Sequence, residues 1–458
     1  MVDQTISEKF AHHLAALRFD QIPHDVIGAA KLHVLDSLGC VLAGSRLEPG
    51  KLAYNLAVSI SGNSNSTSTL FGTALRVSYL DAVQALATAA HCGELDDIHG
   101  GAATCIGAMV IPALIAMAEK YGGGGRGFLE ATIASYETIA RVGLCIDAPK
   151  LFARGWWPST VCGAFGVAAA GAKFLDWPVD KTVNAIGIAS LHTGGMLTGG
   201  NEGATARHLA FGRAAQNGIL ALLATEQGLS GPKRAFEDPR GFCLTLCAEP
   251  RWEYLQSVDK FFLPEVAFKP YPCARQLHAG VEALLTLMQQ NLIDPTTIEG
   301  IELTVPTQNA SMVNRPITPT SRAATLGSGQ YVMAVTALRG KINLTSFEDE
   351  YLHSAEVRQL MDRVKVNEST ELDRHFLKYW SGRVTVKLAG GKIYSEEIIA
   401  PKGESENPMT RQDIEEKFLG LAAPVLGDGK ARLVIDEVQW LDARESAERL
   451  LTALKISV

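Results

Sequence analysis

The sequence predicts a mainly α-helical fold: a large all-helical domain that carries a smaller α+β lid domain. Three observations predict it. Apolar residues recur at three-and-four spacing through about the first 265 positions, β-branched alternation appears after Pro264, and helical spacing returns after the polar segment Pro401–Pro408. The expected organisation is a helical domain at 1–264, completed by 407–458, and an α+β domain at 265–406. A chain of 458 residues is long for one simple core, which fits two domains.

The opening stretch, MVDQTISEKFAHHLAALRF, is polar throughout and reads as an amphipathic helix, not a signal peptide. Helical patterns follow at His24–Ala43, Tyr79–Ala90, Ala108–Lys120 and Gly127–Val142. The glycines Gly122–Gly125 stop one of these helices. That GGGGRG run lacks a preceding strand and a Lys-Ser/Thr pair, so it does not read as a phosphate loop. The small-residue stretch Gly163–Ala172 predicts a buried helix that neighbours approach closely. After Pro264, Thr297–Pro306 reads as a strand, and Arg383–Ile399 as a hairpin turning at Gly390-Gly391. Helices are expected between them at His278–Gln290 and Gly329–Arg339, and in the tail at Thr410–Leu421 and Ala443–Leu454.

Composition narrows the function. Hydrophobic residues make up 47% and charged residues 20%, an ordinary globular balance. The net charge of −7 leaves no basic footprint for nucleic acid. The apolar runs around Ala108–Ala118 and Gly163–Ala172 are too short and too Gly-rich to span a bilayer. A cytoplasmic protein with no membrane or nucleic-acid partner is the expectation. Eight cysteines without a CxxC pair read as reduced, buried thiols; only Cys273 has neighbours that keep a site role open.

The most polar island in the helical region runs His91-Cys92-Gly93-Glu94-Leu95-Asp96-Asp97-Ile98-His99. Burying three carboxylates and two histidines is costly unless they are paired or used. Three readings are open: a metal site, although no HExxH spacing is present; a loop whose acids cap the next helix; or an acid–base site, because clustered carboxylates drive their pKa values apart.

The island and its continuation, HCGELDDIHGGAATCIGAMVIPALIAMAE, resemble the MmgE/PrpD family's H-x-x-D-F-D-D-T-H segment and the apolar helix after it. Further pieces match in order: Arg154–Gly163 (RGWWPSTVCG), Gly203–Gly218 (GATARHLAFGRAAQNG), Phe268–Cys273 (FKPYPC) and Asn314–Ala334 (NRPITPTSRAATLGSGQYVMA). The resemblance spans nearly the whole chain. It implies a helical domain with an α+β lid inserted before the tail, the active site between them, a homodimer, and no metal or organic cofactor. The family's activities include 2-methylcitrate dehydration, cis-aconitate decarboxylation and iminodisuccinate epimerisation.

Carried over position by position, the family's first acid falls on Glu94 and its Asp pair on Asp96 and Asp97. Its Thr becomes Ile98, one His becomes Thr104 and another Trp157. Its Lys becomes Arg207, beside His208, while Lys269 and Tyr331 are retained. Two imidazoles are thereby lost, and an acid–base group contributes roughly 10² to 10⁴ in rate. On that ground the expected reaction is epimerisation or isomerisation of a small di- or tricarboxylic acid by proton transfer beside a carboxylate. The alternatives are a dehydratase or decarboxylase of the lyase class, and a non-catalytic polycarboxylate-binding protein. Lys269, Tyr331, Asp96, Asp97 and His99 are the expected catalytic residues. Glu94, Trp157, Arg207, His208 and Arg275 are the expected substrate contacts, with Arg154 a further cation for a carboxylate.

Overall fold

The structure, a computed structural model, describes residues 4–62, 67–376 and 378–456. It is mainly helical, with about 60% of the chain in helices and only small sheets besides. The central helix His24–Gly44 is long and apolar enough to cross a membrane, yet 78% of its apolar window is buried inside the protein. Here the run is a core helix, because neighbours cover it on nearly every side. Its one buried acid, Asp36, lies 2.5 Å from Lys417 of the tail helix Arg411–Leu426, which packs along it.

Around this axis pack the helices Tyr79–His91, Gly107–Tyr121, Gly125–Cys145, Pro158–Phe174 and Leu209–Glu226. Pro158–Phe174 is the close-approach helix anticipated from its small residues. A Cβ at Gly163 would stand 2.3 Å from the Met109 sulfur. The Gly122–Gly125 run joins two helices: Gly122 ends one at φ +72°, and Gly125 begins the next against the Leu441 carbonyl. That junction, with its backbone pressed on the tail, explains the glycines without a phosphate.

The first core takes residues from Phe10 to Phe268, Trp380, and Met409 to Leu454. A second core gathers side chains between Cys273 and Val386. It forms between the helices His278–Gln290 and Gly329–Arg339 and a four-stranded sheet ordered Val364–Ser369, Ile298–Pro306, Gly382–Leu388, Ile393–Ile398. The hairpin forms as expected, with Gly390 and Gly391 both at positive φ. Val364–Ser369 was not anticipated; it runs parallel to Ile298–Pro306, and its polar second half hides the alternation. The tail also holds an unanticipated helix, Asp428–Gln439, and its last helix is shorter than expected, Glu448–Ala453.

One small pairing matters most for function. Ile98–His99 pairs antiparallel with Val266–Ala267, so that Ile98 faces Ala267 and His99 faces Val266. This ladder brings the polar island at 91–99 beside the segment that leads to Lys269.

The helix packing yields a stability test. A Cβ at Gly44 would stand 1.8 Å from the Ala89 carbonyl oxygen, a backbone atom that cannot rotate aside. Gly44→Ala is expected to cost about 1–3 kcal/mol, read as a lower urea midpoint; an unchanged midpoint would show that the two helices are free to part.

Candidate active site

A cavity of about 670 Å³ is lined by residues of both cores. Its polar end is built by the helix Tyr79–His91, the loop after it, the Arg207 turn and the Phe268–Cys273 segment. Glu94 sits here at φ +52°, a left-handed conformation uncommon outside glycine. Its carboxylate is held from both sides. Arg207 approaches Oε1 at 2.9 Å and the Lys269 ammonium approaches Oε2 at 3.2 Å. Burial pushes the Glu94 carboxyl up, but Lys269 and Arg207, then His91 and His208, outweigh it and hold the group well below the usual carboxylate range. Lys269 is fully buried; burial works against its charge, and Cys105, Asp96 and Glu94 reverse the effect, so its pKa is raised.

Asp96 and Asp97 are neighbours in sequence and face opposite ways. Asp96 accepts from His91 Nδ1 at 2.9 Å and lies 3.9 Å from Lys269. Asp97 points into the helical core. Its Oδ2 accepts from the Tyr136 hydroxyl at 2.5 Å and lies 2.8 Å from His33 Nδ1, while Oδ1 accepts from the Ile106 and Gly107 amides. Burial raises this carboxyl, and His33, Tyr136 and the Gly107 amide outweigh it. Asp97, expected to be catalytic, is instead an anchor for the start of the Gly107–Tyr121 helix.

Further expectations are corrected. The Tyr331 hydroxyl donates to the Ser346 carbonyl at 2.8 Å inside the second core, away from the cavity lining, because the helix Gly329–Arg339 turns that face toward the sheet. His99 faces a second cavity of about 640 Å³, where Nε2 lies 3.9 Å from Glu265; burial lowers its pKa to about 4. Arg275 lines the first cavity, but its guanidinium is taken up by Glu404 at 2.6 Å, His278, and the Phe268 and Lys402 carbonyls. It holds the backbone that carries Lys269. Arg154 is exposed and donates to the Leu246 carbonyl, outside the lining.

Trp157 lines the cavity, with the Arg207 guanidinium 4.8 Å above its ring, a cation–π contact that fixes the arginine. His208 is wholly buried behind this wall, and both ring nitrogens lack a hydrogen-bond partner. Burial, then Arg207 and His91, lower its pKa well below the ordinary histidine value. It is a neutral packing group, not a contact lining the cavity.

Sequence reasoning overlooked several lining residues. His91 was read only as part of the polar island; its ring stacks on Phe211 at 3.6 Å and meets Trp157 edge-on. Arg315 lines the cavity and donates to the Gly200 carbonyl at 2.9 Å. The signal for it was the Asn314-Arg315-Pro316 motif. Ser159, also in the lining, accepts from the Cys105 amide. Donor atoms of His91, Asp96 and Cys105 lie within 4.8 Å of one another. Asp96 is already paired with His91 and Lys269, so the ammonium occupies the charge that a metal ion would need.

The chain matches the MmgE/PrpD N-terminal domain over residues 8–255 and the MmgE/PrpD C-terminal domain over residues 271–442. The chain belongs to the MmgE/PrpD family. Among its relatives, the human cis-aconitate decarboxylase is 29% identical, with 99% of this chain and 95% of the relative covered. A cis-aconitate decarboxylase of Aspergillus terreus is 26% identical over 99% of this chain and 96% of its own length. The cis-aconitate decarboxylase-like protein oryM of Aspergillus oryzae is 27% identical, covering 98% and 97%. These relatives bear the names of lyases, which overturns the isomerase expectation. That expectation rested on imidazoles lost at Thr104 and Trp157, and it overlooked the imidazole of His91 in the cavity wall.

His99 makes a pH dependence of stability testable. Its folded pKa of about 4 lies below the ordinary 6.5, so the unfolded chain binds a proton that the folded chain does not. Stability contributed by the neutral ring is present above 6.5 and falls as pH drops from 6.5 toward 4. Urea midpoints across that window are expected to fall less steeply for His99→Gln than for the parent; parallel slopes would refute this assignment.

Proposed function

We propose that this protein is a carbon–carbon lyase that removes carbon dioxide from a small unsaturated tricarboxylic acid of the cis-aconitate type. The observation that carries this reading is the convergence of Lys269 and Arg207 at the polar end of the cavity, in a chain that aligns end to end with cis-aconitate decarboxylases. Arg315 adds a third cation to the lining. Against these stand two carboxylates, Glu94 and Asp96, so the buried site is left with a net positive charge that suits a polyanion. Arg322 reinforces it nearby, its Nε and one terminal nitrogen buried without a hydrogen-bond partner.

The chemistry follows from these charges. As a carboxylate departs as carbon dioxide, its electron pair passes into the carbon skeleton and is shared with a remaining carboxylate. Lys269, kept protonated by its anionic neighbours, stabilises that developing charge in a water-poor setting where fixed charges act strongly. Arg207 is locked by Glu94 and Trp157 and offers its remaining N–H groups to a substrate carboxylate, a planar donor set that lysine cannot present. The pre-set geometry means little reorganisation accompanies the reaction.

Purified protein given cis-aconitate is expected to release carbon dioxide, and Lys269→Ala to lower turnover by roughly 10² to 10⁴. Tyr331→Phe, which removes a hydrogen bond in the second core, is expected to cost about 1 kcal/mol in stability while turnover stays within about threefold. No carbon dioxide from cis-aconitate at any pH between about 5 and 8, with the folded parent protein, would reject the proposed reaction.

A further inference from the structure

We infer that His91, through Nε2, delivers the proton that completes the decarboxylation, with Asp96 as its positioning residue. The inference rests on the decarboxylase reading above and adds the identity of the proton donor. His91 closes the helix Tyr79–His91, and its ring is clamped in one plane by Phe211 at 3.6 Å and 9° and by Trp157 at 5.4 Å and 66°. Nδ1 stands 2.9 and 3.1 Å from the two Asp96 oxygens, so the carboxylate accepts the Nδ1–H and fixes which nitrogen faces away from it. Nε2 is that nitrogen. It is buried, it has no hydrogen-bond partner, and it belongs to a residue lining the cavity, 3.7 Å from Glu94 Oε1. A buried polar atom left unpaired beside a polar cavity is costly unless a partner satisfies it.

The other groups near the substrate are poorly suited to the task. Thr104 and Trp157 do not titrate in the working range, and arginine does not give up its proton. Lys269 is held protonated by its neighbours, and burial pushes the Cys105 thiol well up. His208 does not line the cavity, His99 faces the second one, and Tyr331 donates to the Ser346 carbonyl. His91 is the remaining imidazole that belongs to a residue lining the cavity, among the described residues.

The step balances without an added reagent. The bond between the departing carboxylate and its carbon breaks and carbon dioxide leaves. The electron pair forms a new double bond to the adjacent carbon, the original double bond shifts its electrons to the next carbon, and that carbon forms its new C–H bond with the proton from Nε2. His91 ends neutral and takes a proton back from water as product leaves.

The test uses the full-length chain, cis-aconitate, and the variants His91→Gln and Asp96→Asn. His91→Gln keeps an N–H at the reach of Nε2 but cannot transfer a proton; kcat is expected to fall by roughly 10² to 10⁴, with KM within about threefold. The parent's kcat should decline at rising pH as the donor loses its proton, and this limb should be absent from the residual activity of His91→Gln. Asp96→Asn removes the carboxylate behind Nδ1 and should move the limb to lower pH, a displacement that simple loss of packing would not produce. A folded His91→Gln with kcat within threefold of the parent, or a limb at the same pH in parent and Asp96→Asn, would overturn the inference while leaving the lyase reading intact. If His91→Gln does not fold, the position of the limb in Asp96→Asn decides alone. A parent protein that releases no carbon dioxide from cis-aconitate rejects the lyase reading itself, and this inference with it.

Discussion

The buried carboxylate of Glu94, gripped by Arg207 and Lys269, ties together segments up to 175 residues apart in sequence. Taking three charges out of water is expensive, and attraction repays it only where geometry is close and the remaining polar atoms are bonded. Here the distances are short, Trp157 backs the arginine, and the Ile98–Ala267 ladder delivers Lys269 to its place. Glu94 holds a left-handed backbone angle, a strain that the two cations offset. The cavity's polar end exists because this ion cluster holds.

Asp96 and Asp97 show how one residue of offset divides chemistry from scaffold. Asp96 faces His91 and Lys269, while Asp97 satisfies two backbone amides, His33 and Tyr136. Losing the Asp97 carboxylate would leave buried donors unpaired at the start of a central helix, the kind of loss that costs most in a protein interior. The pair therefore supports the site from below and equips it from above. Arg275 plays a similar supporting part, since it binds Glu404 and two carbonyls and so steadies the backbone on which Lys269 stands.

Much of the fold was legible because periodicity is a local property. The helices His278–Gln290 and Gly329–Arg339 and the Gly390-Gly391 hairpin lie where apolar spacing and turn chemistry place them. What escaped was non-local or masked by polar residues. Val364–Ser369 is a strand because Ile298–Pro306 pairs with it, and Asp428–Gln439 is a helix whose outer face is charged. The central helix His24–Gly44 was recognised as a helix, but its length and overall apolar character were missed because Lys31, His33 and Asp36 interrupt the apolar run.

By itself the sequence determined the family, the mainly helical architecture and the polar island that carries the site, since these depend on residue order and spacing. It also singled out Glu94, Lys269, Trp157 and Arg207, which the fold brings together. Tertiary structure alone decided which side chains face the cavity. His91 and Asp97 lie in one short segment, and no spacing rule tells that the first lines the cavity with a ring nitrogen left unpaired while the second is consumed by the core. Direction of a side chain in a loop depends on partners distant in sequence, and those partners are in place only after the chain has folded.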